Sequence, residues 1–104
     1  VELFNAGAYF EAHEAFEALW ARAPLGERFF LQALVHYAVG LHHHQRGNRT
    51  GAVRQLDKAL RKIAGYLPAH RGVDTARLWR DGQRWRDAAK GGWRIDLATI
   101  AMKA

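Results

Sequence analysis

Phe29-Phe30-Leu31-Gln32-Ala33-Leu34-Val35-His36-Tyr37-Ala38-Val39-Gly40-Leu41 is the stretch on which the fold turns. Its apolar residues do not alternate with polar ones, so it is not a half-buried strand, and they occupy nearly every side of a helical wheel. A helix that is apolar nearly all round is one covered by its neighbours. We therefore read a central helix from about Glu27 to Arg46, stopped by Gly47-Asn48. Gln32 and His36 interrupt it, and it falls short of the ~20 apolar residues that a bilayer span needs.

Working outward, each flank shows the same period. Before the central helix, Ala8 to Arg22 sets Tyr9, Ala12, Phe16, Leu19 and Trp20 on one face, with Glu11 and Glu14 opposite and Pro24 and Gly26 as the stop. After it, a helix from Thr50, the expected N-cap, to Tyr66 carries the stripe Val53, Leu56, Ala59, Leu60 and Ile63, and Leu67-Pro68 ends it. Asp74 is expected to cap a fourth helix from Thr75 to about Lys90, and Gly91-Gly92 breaks it before a tail with Ile95, Leu97 and Ile100. The 104 residues fit one domain. The expected fold is all-α: a single compact bundle over residues 1–104 with about four main helices, the central one flanked by the first and third.

The chain also repeats weakly with a period of 40, since Gly7, Ala12 and Phe16 fall opposite Gly47, Ala52 and Leu56. The pattern Gly7-x-Tyr9-x-x-Ala12-x-x-x-Phe16, followed by Pro24, is similar to the second helix of a tetratricopeptide repeat. That resemblance implies stacked helical hairpins. Two units are fewer than the three or so of a solenoid, so a bundle is expected rather than an open superhelix.

Composition narrows the function classes. Hydrophobic residues at 49% and charged ones at 25% are the proportions of an ordinary globular chain. The absence of cysteine removes disulfides, thiolate zinc sites and cysteine nucleophiles together. No basic segment followed by an apolar run opens the chain, so no signal peptide and no membrane partner is expected, and the cytoplasm is the expected compartment. The net charge of +6 divides sharply: residues 1–27 carry −4 and the remainder +10. If the acidic first helix faces the basic ones, much of that excess is satisfied internally.

Chemistry, if present, is expected at a cluster of histidines and glutamates. His13 and Glu17 stand four residues apart, hence on one side of the first long helix, with Trp20 about one turn beyond. Gln32, His36 and His43 fall within about 40° of arc on the central helix, and Gly40 leaves room beside them. If the two stripes meet, they bring together His13, Glu17, His36 and His43, with Glu14 or Gln32. Two or three imidazoles and a carboxylate would suit a zinc or iron ion. The same groups would also serve as a metal-free acid and base, Glu17 orienting His13. On a purely structural reading they hydrogen-bond one another and set the register of two helices. No complete catalytic signature is present. If the chain is an enzyme, a metal-assisted hydrolase is the first expectation. His13-Glu14-x-x-Glu17 lacks the second histidine of the zincin motif, and of His42-His43-His44 only His43 is expected on the inner stripe. Trp79-Arg80-Asp81, Trp85-Arg86-Asp87 and Trp93-Arg94 interleave aromatics with arginine as a nucleic-acid surface would. The expectation here is that the tryptophans pack into the core and the aspartates dilute the field.

Phe4-Asn5-x-Gly7-x-Tyr9-Phe10-Glu11-Ala12-His13-Glu14-x-x-Glu17-x-x-Trp20, then Leu34 to Ala38, then His43-x-x-Arg46-Gly47-Asn48-x-x-Gly51-Ala52, resembles the bacterial and archaeal family catalogued as domain of unknown function 309, over roughly residues 3–68. The resemblance implies a compact helical domain whose signature residues are His13, Glu14, Glu17, Trp20, His43, Gly47 and Asn48, with no established activity. The family pattern commonly has Gln at position 36, which argues that His36 is not an essential ligand. The expected function is a small helical domain built around a buried His/Glu cluster with a metal or small-ligand site at His13, Glu17 and His43. The alternatives are a tetratricopeptide-like module for a peptide or a second copy of the chain, and weak nucleic-acid binding by the basic second half.

Overall fold

A computed structural model describes residues 1–103. The helices are α1 (Glu2–Asn5), α2 (Tyr9–Trp20), α3 (Leu25–Gln45), α4 (Arg49–Ile63) and α5 (Thr75–Gly91), with a 3-10 turn, Ala64–Tyr66, after α4. Among the described residues there is no sheet, only isolated bridges from Val73 to His70 and to Met102. The all-α bundle is as expected. α3 is its axis, with α2 and α4 packed on it and α5 on α4.

The buried face of α3 is Phe30, Ala33, Leu34, Tyr37, Ala38 and Leu41, which is helical spacing along one side. Full burial of side chains such as Leu41 or Leu56 contributes roughly 1.5–3 kcal/mol each. The cover is incomplete at the start of the helix, where Leu25 and Phe29 are exposed. α4 presents Ala52, Leu56, Ala59, Leu60 and Ile63, close to the expected stripe, with Val53 at its half-buried edge. α3 and α4 approach so closely that a Cβ on Gly40 would lie 2.9 Å from Leu56 Cγ. α5 comes equally near, since a Cβ on Gly82 would lie 2.7 Å from Tyr37 Cε1. Small residues recur where helices touch.

The period of 40 is a repeated corner. Gly7 and Gly47 both take the left-handed conformation, at φ +82° and +75°. In the first corner the Ala8 N–H donates to the Leu3 carbonyl and the Gly7 N–H to Phe4; in the second Asn48 donates to His43 and Gly47 to His44. These are the closing bonds of a helix terminated by a left-handed glycine. Each corner then opens a helix that buries an alanine and, four residues on, a larger residue, Ala12 and Phe16 or Ala52 and Leu56.

Several local expectations change. The cap of α4 is Asn48, not Thr50: its Oδ1 accepts from the Gly51 N–H at 3.0 Å, as a side chain one residue before the helix can and one inside it cannot. Asp74 caps α5 as expected, accepting from the Arg77 N–H at 3.0 Å. Leu19 is 57% exposed, because α2 ends at Trp20 and the chain turns away through Pro24 before α3 can cover it. Trp85 packs into the core against Phe4 and Tyr37, and Trp79 is half-buried, but Trp93 lies past the end of α5 and is 67% exposed. The acidic helix does not neutralise the basic ones. Among the described residues no Lys or Arg pairs with Glu2, Glu11, Glu14 or Glu17.

The tail returns to the beginning of the chain. Asn5 Nδ2 donates to the Ile100 carbonyl at 3.2 Å, and the Ile100 N–H donates to Asn5 Oδ1 at 2.7 Å. The Tyr9 hydroxyl donates to the Ala98 carbonyl and accepts from the Ala98 N–H, both at 3.0 Å. Ala98 and Ile100 are buried by this docking, whereas Leu97 points outward.

Candidate functional site

The expected His/Glu cluster does not assemble. His13 Nε2 and Glu17 Oε2 are 3.3 Å apart, but Glu17 is exposed and the pair stands at the edge of α2. Beside it the Phe10 ring lies 5.7 Å from His13 and 5.4 Å from His42. His43 belongs to the second corner, where its Nδ1 is 3.3 Å from Asn48 Nδ2 and accepts from that amide. All three of His42, His43 and His44 are half-buried, so none joins an inner stripe. His36 turns to α4, with Nδ1 2.7 Å from Gln55 Oε1. Glu14 is exposed, and Gly47 serves the corner. Among the described residues no three His, Asp or Glu side chains are placed to hold a metal ion. The reason is axial distance: His36 and His43 share an azimuth but stand seven residues, about 10 Å, apart along the helix.

What the structure does bring together is a cleft of about 670 Å³ between α3 and α4, lined by Phe29, His36, Lys58, Arg61, Lys62, Gly65 and Tyr66. Phe29 and His36 are two turns apart on α3. Lys58, Arg61, Lys62 and Gly65 follow the three- and four-residue steps of one face of α4 and its continuation. None of the three cations has a carboxylate partner among the described residues. The Lys62 ammonium lies over the Phe29 ring, 5.0 Å from its centroid. Burial pushes the His36 pKa below its ordinary value, and Lys62, Lys58 and Arg61 add to the effect against a smaller upward pull from Gln55. The imidazole is thus neutral at pH 7, with Nδ1 donating to Gln55.

His36 and Lys62 also border a smaller hollow of about 250 Å³, completed by Glu17, Trp20, Gln32 and Val35. The Trp20 Nε1–H is buried without a hydrogen-bond partner among the described residues. The expected pocket residues Glu17, Trp20, Gln32 and His36 therefore do share a concavity, one in which Lys62 replaces the histidines His13 and His43.

A second His/Glu pair escaped the sequence reading. His70 Nε2 is 2.8 Å from Glu27 Oε1, and Arg71 donates to the same carboxylate oxygen. Hydrogen bonds from Arg71 and then His70 hold the Glu27 carboxyl below the usual carboxylate range. The His70 ring packs edge-on to Phe30 at 4.6 Å and against Tyr66 at 4.7 Å. These contacts pin the loop before α5 to the start of α3. The partners are more than forty residues apart, so no local pattern announces them.

Fold and cleft together define a small all-helical domain with a basic, aromatic-edged cleft. The chain belongs to the family described as Domain of unknown function (DUF309), which matches residues 1–55. That span holds both corners and Phe29 and His36, and stops before Lys58, Arg61 and Lys62. The chain is also 33% identical over 75 residues to "Uncharacterized protein YpuF" of Bacillus subtilis (strain 168), an alignment covering 71% of this chain and 41% of the relative. It thus spans less than half the length of that relative. No helix is long and apolar enough to cross a membrane among the described residues.

Proposed function

We propose that this domain is a binding module for an anionic small molecule, held in the α3–α4 cleft. The observation that carries the reading is the placement of Lys58, Arg61 and Lys62, unpaired by any described carboxylate, around a concavity that also holds Phe29 and Tyr66. Like charges gathered on one wall repel one another, and an anion relieves that repulsion while accepting charge-assisted hydrogen bonds. Calorimetric titration with pyrophosphate at low salt tests it. Binding is expected in the wild type and is expected to disappear in the Lys58→Gln/Arg61→Gln/Lys62→Gln variant. Absence of binding in the wild type, or equal binding in the variant, overturns the reading.

A second reading rests on a different face. Trp93 stands exposed beside Arg49 and Arg94, and the three line a hollow of about 400 Å³ with His44, Gly47, Ala89 and Gly92. An exposed indole in a hollow that two arginines also line suits weak binding of single-stranded nucleic acid by stacking and phosphate contact. Such binding must weaken steeply with salt, and Trp93→Ala must reduce it.

A further inference from the structure

We propose that the anion taken by the α3–α4 cleft is the phosphate of a nucleoside phosphate whose base lies against Phe29, an inference that rests on the anionic-ligand reading above. The cleft, at about 670 Å³, has the size of a site for a drug-sized molecule rather than for a bare phosphate. Its cations are on α4 and its most exposed ring, Phe29 at 59%, is on α3. A ligand that satisfies both walls carries its charge at one end and a flat apolar surface at the other.

Lys62 couples the two ends. Its ammonium covers a face of Phe29, at 5.0 Å from the centroid. A phosphate is a stronger partner for an ammonium than an aromatic ring is, so it draws Lys62 off the ring. The uncovered face then accepts a base by stacking. A nucleoside without phosphate must instead compete with Lys62 for that face, so base and phosphate bind cooperatively.

The adjoining hollow separates this ligand class from other aromatic phosphates. Glu17 and Gln32 line it, and His36, which borders both hollows, spends its Nδ1 on Gln55 and keeps Nε2 as an acceptor. These groups suit the hydroxyls of a ribose and the exocyclic amine of a base. The phenyl ring of a phosphotyrosine offers them nothing.

The test compares ADP, CDP, pyrophosphate, adenosine and phosphotyrosine by calorimetry on the wild type and on Phe29→Ala, a change at an exposed residue whose folding is checked by circular dichroism. The better nucleotide is expected to bind roughly tenfold more tightly than pyrophosphate, about the ratio that one stacked base supplies. Adenosine is expected to bind more weakly than either. Phe29→Ala is expected to bring the nucleotide down to the pyrophosphate level, and to leave pyrophosphate bound at least as tightly as before, since Lys62 no longer has to leave the ring. Equal affinity for nucleotide and pyrophosphate in the wild type overturns the nucleoside inference and leaves the anionic-ligand reading standing. Phosphotyrosine bound as tightly as the better nucleotide, or a nucleotide unaffected by Phe29→Ala, also overturns the inference alone. No binding of either pyrophosphate or nucleotide overturns both.

Discussion

Asn5 grips Ile100 at both of its backbone polar atoms, one amide side chain answering an N–H and a C=O that lie 95 positions further along the chain. Tyr9 does the same for Ala98 through a single hydroxyl. Burial raises the pKa of that hydroxyl, so it keeps the proton it donates. Part of the stretch from Phe4 to Tyr9 is thereby explained without any chemistry. Phe4, Asn5 and Tyr9 are the seat on which the tail docks, Phe4 stacking edge-on to Tyr9 at 5.0 Å.

Asn5→Ala should therefore destabilise the domain out of proportion to its size. Two backbone groups of the tail lose their partners, and leaving buried polar groups unpaired costs about 1–3 kcal/mol. Chemical denaturation should show that loss, and amide exchange at Ile100 should accelerate before exchange in α3 does. Unchanged protection at Ile100 would show that the tail is held by apolar contacts alone.

Gly82→Ala and Gly26→Ala should have opposite signs. A methyl group at 82 would meet Tyr37 at 2.7 and 2.8 Å and Leu60 at 3.0 Å, and Tyr37 is fully buried. Overpacking of that kind costs about 1–3 kcal/mol. At 26, in the first turn of α3, nothing lies within 4 Å, so removing the freedom of glycine in the unfolded chain should stabilise by about 0.4–1 kcal/mol. Thermal melts of the two variants decide the matter.

His36 makes stability depend on pH in a defined direction. Its folded pKa lies below the ordinary value of 6.5, mainly through burial. Between the two values the unfolded chain binds more protons than the folded one, so stability rises with pH through that window. The contribution is complete above about 6.5 and is lost as pH falls toward the folded pKa. His36→Gln should flatten this part of the profile. Pyrophosphate should raise the His36 pKa in an NMR titration by offsetting Lys62, Lys58 and Arg61, and a resonance that does not respond would separate His36 from the anion site.

Asn48→Ala should cost more than His13→Ala. The first removes a cap that bonds to the Gly51 N–H and donates to His43, a loss of about 0.5–2 kcal/mol. The second removes a contact to the exposed Glu17 carboxylate and one to the Phe10 ring, and exposed polar pairs of that kind contribute about 0–1 kcal/mol. Zinc titration of tag-free protein should be indifferent to His13→Ala and His43→Ala, since among the described residues neither imidazole belongs to a group of three side chains placed to hold a metal ion.

The helices and their faces were legible because burial on one side imposes a period of 3.6, and Tyr9, Ala12 and Phe16 or Leu56, Ala59 and Ile63 obey it. Asp74 was legible as a cap for the same local reason. Thr50 misled because Asn48, two residues earlier, can also cap, and the choice depends on where the glycine corner ends. The site was less legible. A helical wheel records azimuth and discards height, so His36 and His43 were grouped although they sit at different levels of α3. Lys58, Arg61 and Lys62 were visible at helical spacing, but nothing local says that Phe29 and His36 stand opposite them. The Glu27–His70 pair is a purely tertiary contact and left no trace in the spacing.

Docking of the tail also orders events in time. The corner at Gly7 is local, so it can form as soon as α1 and α2 exist, and helices and short turns close within microseconds. Synthesis proceeds at only about 5–20 residues per second, so Asn5 and Tyr9 wait several seconds for residues 98–100. During that interval the seat for the tail is left unfinished, with the polar side chains of Asn5 and Tyr9 facing water. Residues made before α3, α4 and α5 thus reach their native partners only after all three helices have been made.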